Sequence, residues 1–143
     1  MRKEDWLLLM LKCAGPHGLS PVQLQKALFM IGREAPQATG QDYYAFQPHN
    51  YGPFDANAYR DAEALARQGL VVITPEPGQS WATYSVSPEG GRRAETASKE
   101  LSAEVLKYAQ DVASWIREMS FAQLVRAIYA RYPEYRANSV FRG

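Results

Sequence analysis

The sequence predicts a mainly α-helical fold with one small β-hairpin, and three observations lead to this fold class. Five stretches repeat apolar residues with the period of an α-helix. Two short runs with strand-like composition flank a turn-rich segment, which is the pattern of a hairpin. The chain has 143 residues, of which 46% are hydrophobic and 22% charged, a composition typical of a single globular domain over residues 1–143.

The first two elements are predicted to be short helices. Apolar residues at positions 7, 10, 11 and 14 form one face of a helix over about residues 4–14, which a Gly-Pro pair ends. A Ser-Pro-Val-Gln capping box at residues 20–23 starts the second helix. Its apolar pattern stops near Arg33, so both helices are expected to be compact and partly buried.

A long aromatic insertion follows the second helix. Residues 34–53 contain three prolines and two glycines, which interrupt any helix. The aromatic run within it favours a short strand near residues 43–47, followed by an ordered turn. Since structureless connections of about 20 residues are uncommon in compact domains, and those that occur are often functional, the insertion is a candidate binding element.

A third helix and the hairpin come next. Asp55 caps a helix over about residues 56–68, which a glycine ends. The hairpin spans residues 70–86, with a turn-rich tip between its two strands. We expect the helix to pack beside the hairpin, with Leu65 and Leu70 in the shared core.

The remaining chain is predicted to be helical. Residues 87–89 have the composition of a helix start, which the following Gly-Gly pair delays. The apolar pattern over residues 101–119 keeps a helical period, so residues 87–119 fit either one long helix or two. A second capping box at residues 120–123 starts a last amphipathic helix, and Pro133 stops it.

This order of elements predicts a winged-helix-like single domain. The segment 84–90 is similar to the Tyr-x-Leu-Thr-x-x-Gly motif that ends the second wing strand in bacterial transcription regulators. The helix-turn-helix part differs, because about 20 residues separate helices two and three where a short turn is usual. The predicted fold is therefore winged-helix-like, with the aromatic insertion between these two helices.

Three blocks of sequence carry a more specific resemblance. They are Leu-Gln-Lys-Ala-Leu-Phe at residues 24–29, Tyr-x-Phe-x-Pro-His-Asn-Tyr-Gly-Pro-Phe at residues 44–54, and Tyr-Pro-Glu-Tyr at residues 132–135. In this order, and over nearly the whole chain, they resemble the YwgA-type and SocA-like proteins, also called Panacea-domain antitoxins. The resemblance implies a mainly helical domain that binds and neutralises a partner toxin, or delivers it to a protease.

Composition excludes several function classes. Sixteen basic and fifteen acidic residues give a net charge of +1, which excludes a strongly basic chromatin-like protein. The apolar stretch 6–11 is too short for a secretory signal, and no apolar run is long enough to span a membrane, so we expect a cytoplasmic protein without a membrane partner. Cys13 has no second cysteine to pair with and is expected to be a small buried hydrophobe.

The sequence contains no pattern typical of an enzyme. The motifs of nucleophile elbows, phosphate-binding loops and common zinc sites are missing. His17 and His49 are the two histidines, too few for a histidine-based catalytic metal site without further ligands. Neither catalysis nor a cofactor or metal is therefore expected.

The candidate protein-binding residues lie in the insertion and near the C-terminus. His49, Tyr51 and Phe54 allow two interpretations: aromatic anchors that hold the insertion in the core, or a rigid surface that recognises a partner protein such as a toxin. Arg131 and Arg136 belong to a segment with five arginines and two glutamates, which suits an acidic protein partner. A homo-oligomer also remains open.

A DNA-binding regulator is the alternative function. Its candidate phosphate contacts are Lys26, Arg60, Arg67, Arg92 and Arg93. The third helix, which would be the recognition helix, balances its two arginines with two acidic residues. Because tight DNA binding requires a clear basic face, these basic residues are otherwise interpreted as solvated charges on separate faces.

Overall fold

The computed structural model describes residues 1–142 and contains helices with two small antiparallel sheets. The α-helices within the described residues are α1 (Lys3–Ala14), α2 (Pro21–Glu34), α3 (Pro36–Thr39), α4 (Ala56–Arg67), α5 (Pro88–Ser98), α6 (Ala103–Arg117) and α7 (Phe121–Arg131). A 3₁₀ helix follows at Pro133–Arg136. The strands are β1 (Gln47–His49), β2 (Gly52–Phe54), β3 (Val71–Pro75) and β4 (Ala82–Val86). The predicted fold class, mainly α with a small hairpin, is confirmed.

Helix α1 lies at the centre of the core. All six residues from Trp6 to Leu11 are buried, although their pattern predicted only one apolar face. The reason is that α1 contacts α2, α4, α5, α6 and β4, which leave no side of its middle turns in water. The other helices therefore pack around α1.

The hairpin β3–β4 packs beside α4, as expected. Its register pairs Val71 with Val86 and Pro75 with Ala82. Leu65 on α4 is 2% exposed and lies in the core as predicted, whereas Leu70 is only half-buried. The Leu70 N–H donates to the Leu65 carbonyl at 2.9 Å. The chain entering α2 adds an isolated bridge between Leu19 and Tyr84, which ties the helical part to β4.

The prediction of a strand near residues 43–47 is wrong. Residues 43–46 have no regular structure, and the insertion instead forms the β1–β2 hairpin after the short helix α3. Tyr43 and Tyr44 both turn inward, where the Tyr43 hydroxyl donates to the Leu28 carbonyl and the Tyr44 hydroxyl donates to Asp61 at 2.7 Å. Residues 43–46 pair with no strand of the described chain, since the β1–β2 ladder begins at Gln47, which pairs with Phe54.

The C-terminal half forms separate helices. The predicted single or double helix is two helices, because Ser102 caps α6 after α5 has ended. The Gly-Gly pair does not delay α5, which begins at Pro88 with Ser87 as its cap. Gly90 is required there because a Cβ at this position would lie 1.9 Å from the Leu70 carbonyl oxygen. Both predicted capping boxes are present, at the starts of α2 and α7.

Candidate functional site

The β1–β2 hairpin is held in place by two neighbouring polar side chains of α2. The Gln25 amide donates to the Asp55 carbonyl at 2.9 Å and accepts from the Asp55 N–H at 3.0 Å. The Lys26 ammonium donates to the Tyr51 carbonyl at 2.5 Å. Backbone groups of this segment that do not pair within the β1–β2 ladder therefore form hydrogen bonds with side chains of α2.

The chain after α7 supports the other side of the hairpin. The Val140 N–H donates to the Asn50 carbonyl at 3.0 Å, and the Asn138 amide donates to the Pro48 carbonyl at 3.4 Å. The Tyr129 hydroxyl donates to the Ser139 hydroxyl at 2.7 Å, which fixes this segment to α7. The insertion is therefore held between α2 and the C-terminal segment.

The three candidate residues of the insertion have different environments. His49 is exposed and stacks on the half-buried Phe54, with ring centroids 4.6 Å apart. Tyr51 is 41% exposed, so its side chain does not anchor the insertion in the core. Its backbone carbonyl provides the anchor instead, through Lys26. Gly52 has a φ of 115°, which explains the glycine in this tight turn.

A groove of about 590 Å³ opens beside the hairpin. It lies between the starts of α2 and α7, the tip of the β3–β4 hairpin and the β1–β2 turn. Three large side chains exposed at the surface, Tyr51, Trp81 and Phe121, line it. None of its lining residues within the described chain is charged. The groove is consequently an uncharged surface that combines exposed aromatic rings with the polar residues Ser20, Gln23, Ser80 and Ser120.

Of the three aromatic residues at the groove, the sequence pattern indicates only Tyr51 as a binding residue. Phe121 shares the apolar spacing of the last helix, which favours burial, yet it is 47% exposed. It occupies the first position of α7, where no preceding turn covers it, and contacts Tyr51 with ring centroids 5.1 Å apart. Trp81 follows the polar tip of the hairpin, and a tryptophan at such a position is the signal that could have indicated an exposed binding residue.

A second, smaller cavity of about 210 Å³ adjoins the groove and shares Val22 and Tyr51 with it. Lys26, His49 and Phe54 also line this cavity. The structure therefore brings the three candidate residues of the insertion together around one cavity, with the addition of Lys26.

The prediction that Lys26 contacts the phosphates of DNA is wrong. Its side chain belongs to a run of α2 that is buried from residue 24 to residue 31, and it is 1% exposed. Burial lowers its pKa from 10.5 to about 7, because a charged ammonium loses its hydration in this environment. The β1–β2 hairpin covers this lysine, which the helical pattern alone does not reveal.

The other candidate DNA contacts are distributed over two helices. Arg60 and Arg67 are exposed on α4. On α5, Arg92 pairs with a glutamate one turn away, and the Arg93 guanidinium lies 3.0 Å from the Asp5 carboxylate. Two of these four arginines are therefore already neutralised by acidic neighbours.

The candidate arginines near the C-terminus lie outside both depressions. Arg131 and Arg136 are exposed, and neither lines the groove or the cavity. The Arg136 guanidinium lies over the Tyr129 ring, 5.9 Å from its centroid. Any role of these two residues is thus separate from the aromatic surface.

Two further observations concern the described residues 1–142. They contain no group of three or more His, Cys, Asp or Glu side chains that could hold a metal ion. None of their helices has the length and apolar character needed to cross a bilayer. In comparisons with known proteins, no family model matches the chain, and no curated protein matches it.

Proposed function

We propose that this protein is a non-enzymatic protein-binding domain that acts as an antitoxin or proteolytic adaptor, and that the groove holds its partner. One observation carries the proposal: Tyr51, Trp81 and Phe121 are all exposed at the same uncharged groove. Exposed apolar patches on soluble proteins mark interaction sites, and binding hot spots are enriched in Trp and Tyr.

The lining of the groove defines the chemistry of the partner segment. Because no lining residue in the described chain is charged, the groove offers nothing to pair with an ionic side chain. A charged group placed there would lose hydration without compensation. The proposed occupant is therefore a segment of a partner protein that presents apolar or aromatic side chains.

The resemblance to Panacea-domain antitoxins supports the choice of a toxin as partner. The block at residues 24–29 contributes the two side chains that hold the hairpin, and the block at residues 44–54 contains the hairpin. Tyr135 of the third block donates from its hydroxyl to the Phe46 carbonyl at 3.5 Å. The residues that carry the resemblance are thus those that support the proposed binding surface.

The proposal is tested by co-expression with the product of the adjacent reading frame. We expect this product alone to stop growth of the host and the pair to restore it. Trp81→Ala and Phe121→Ala should each weaken association by about 30-fold or more, measured by calorimetry, as expected for hot-spot residues. Val72→Ala is the matched control, since Val72 is 45% exposed but lies outside the groove.

Two results would overturn the proposal. One is association that Val72→Ala and the groove variants weaken equally. The other is duplex DNA binding at low salt that weakens with Arg60→Ala or Arg67→Ala and is unaffected by Trp81→Ala, which would favour the regulator alternative.

A further inference from the structure

We infer that the cavity beside the hairpin is a binding site for a carboxylate group, which Lys26 holds through an ion pair. The site is distinct from the groove, although Val22 and Tyr51 contribute to both. The inference does not rest on the proposed protein-binding function, because the ligand chemistry follows from Lys26 and its surroundings.

Lys26 has hydrogen-bonding capacity that the protein does not use. An ammonium group carries three donors, and the Tyr51 carbonyl accepts one of them at 2.5 Å. No carboxylate among residues 1–142 lies within 4.0 Å of this ammonium, although the side chain is 1% exposed. A buried cation without a counter-charge is unfavourable, so an anion entering the cavity gains an electrostatic partner.

The elements packed around Lys26 provide no competing negative charge. The titratable groups facing it are His49 from β1, Tyr51 from the turn, Tyr59 from α4 and Tyr129 from α7. Burial raises the pKa of Tyr59 to about 12, so its phenol is neutral near pH 7. The lining of the cavity contains no aspartate or glutamate. An incoming anion therefore meets the Lys26 ammonium and no acidic side chain in the cavity lining.

Charge favours a carboxylate over a phosphate dianion. The cavity of about 210 Å³ equals the liquid volume of roughly seven water molecules, which accommodates a carboxylate on a short stem. One lysine balances one negative charge, whereas a phosphate dianion would bring a second charge with no partner. Asn50 also lines the cavity and has an amide that can donate to the second carboxylate oxygen. The carboxylate can come from an acidic side chain of a protein or from a free small molecule.

Binding should be linked to protonation of Lys26. Burial lowers the pKa of the free amine to about 7, and a bound carboxylate raises it again by favouring the charged form. Carboxylate binding therefore takes up protons near neutral pH. Affinity should fall as pH rises above 7, because more of the free amine is neutral there.

The test titrates the wild-type protein with acetate and follows the Lys26 side chain by NMR. Acetamide is the control because it has the same shape without the charge. We expect a saturable change at Lys26 with acetate but not with acetamide, and affinity about 30-fold weaker at about pH 8.5 than at about pH 6. Equal responses to both compounds, or no response to acetate, would overturn the inference.

Two additional arms strengthen the test. In Lys26→Met, whose folding is checked by circular dichroism, the acetate response of the cavity residues should be lost; its persistence would also overturn the inference. N-acetylglutamate α-amide is then compared with its glutamine counterpart. Preferential binding of the glutamate compound identifies an acidic protein side chain as the source, whereas binding of acetate alone identifies a free small carboxylate.

Discussion

At the scale of single residues, Lys26 combines a structural role with an energetic cost. Its hydrogen bond to the Tyr51 carbonyl holds the β1–β2 turn, but its ammonium is removed from water without a paired carboxylate in the described chain. Burial lowers its pKa to about 7, well below the 10.5 of a solvated lysine. This difference makes stability depend on pH.

We expect the free energy of unfolding to rise between about pH 7 and pH 9. In this range the unfolded chain keeps the Lys26 proton while the folded protein loses it, so the unfolded state binds more protons and stability rises with pH. The slope due to this group is at most about 1.4 kcal/mol per pH unit. Urea unfolding of the wild type and Lys26→Met measures it, and the variant should lack this contribution.

Lys99→Met is the matched control for this prediction, because Lys99 is exposed. Its unfolding free energy should follow that of the wild type across the same pH range. A wild-type slope that Lys26→Met leaves unchanged would contradict the assignment of this pH dependence to Lys26.

Predictions for single residues are accurate where burial follows from local spacing, and they are wrong where burial depends on contacts with distant parts of the chain. Leu65 was placed correctly because apolar residues at helical spacing are usually buried together. Lys26 was placed wrongly because its covering segment lies 25 residues away in the sequence. Trp81 and Phe121 were missed because the groove joins segments that helical periodicity treats separately. Long-range contacts, rather than local pattern, define the candidate site.

At the scale of elements, capping residues in the sequence predict accurately where helices begin. Ser20, Ser87 and Ser120 each accept a hydrogen bond from a backbone N–H of the following turn, as their sequence contexts predict. The strand near residues 43–47 was predicted wrongly, because Tyr43 and Tyr44 bind groups on α2 and α4. Capping depends on three or four consecutive residues, whereas those tyrosine contacts depend on the assembled fold.

The adjacent glycines of α5 should respond in opposite ways to alanine. In Gly90→Ala the new Cβ would lie 1.9 Å from the Leu70 carbonyl oxygen, so α5 has to move away from Leu70, at a cost of about 1 to 3 kcal/mol. In Gly91→Ala the nearest atom to the Cβ lies at 3.9 Å, and the better helix propensity of alanine should stabilise by up to about 1 kcal/mol. Thermal and urea unfolding of both variants measure the difference.

Each variant serves as the control for the other, since the two positions share a helix and a substitution. Equal effects of the same sign would show that the close approach of α5 to Leu70 does not govern stability at this junction.

At the scale of the whole molecule, the aromatic surface depends on distant parts of the chain. The β1–β2 hairpin contacts α2 through Lys26 and the C-terminal segment through Val140. Tyr51, at the hairpin turn, contacts Phe121 at the start of α7. The groove can therefore keep its shape only while both supports hold the hairpin.

Deleting residues 139–143 should loosen the hairpin while leaving the core intact. The deletion removes the hydrogen bonds to the Asn50 carbonyl, so amide hydrogen exchange in β1–β2 should accelerate, whereas amides in α1 should remain protected. Deleting residues 142–143 is the control, because it keeps Ser139 and Val140. Equal acceleration in α1 and in the hairpin after the longer deletion would mean that this segment supports the whole fold instead.

The position of Trp81 gives the protein a built-in spectroscopic reporter. The chain has three tryptophans; Trp81 lines the groove and is 41% exposed, whereas Trp6 is 0% exposed and Trp115 is partly buried. Emission from Trp81 should be quenched readily by acrylamide, and emission from Trp6 should not. A ligand that fills the groove should shift the emission to shorter wavelength and protect it from the quencher. Unlabelled protein can therefore be screened for occupants, with Trp81→Phe as the blank.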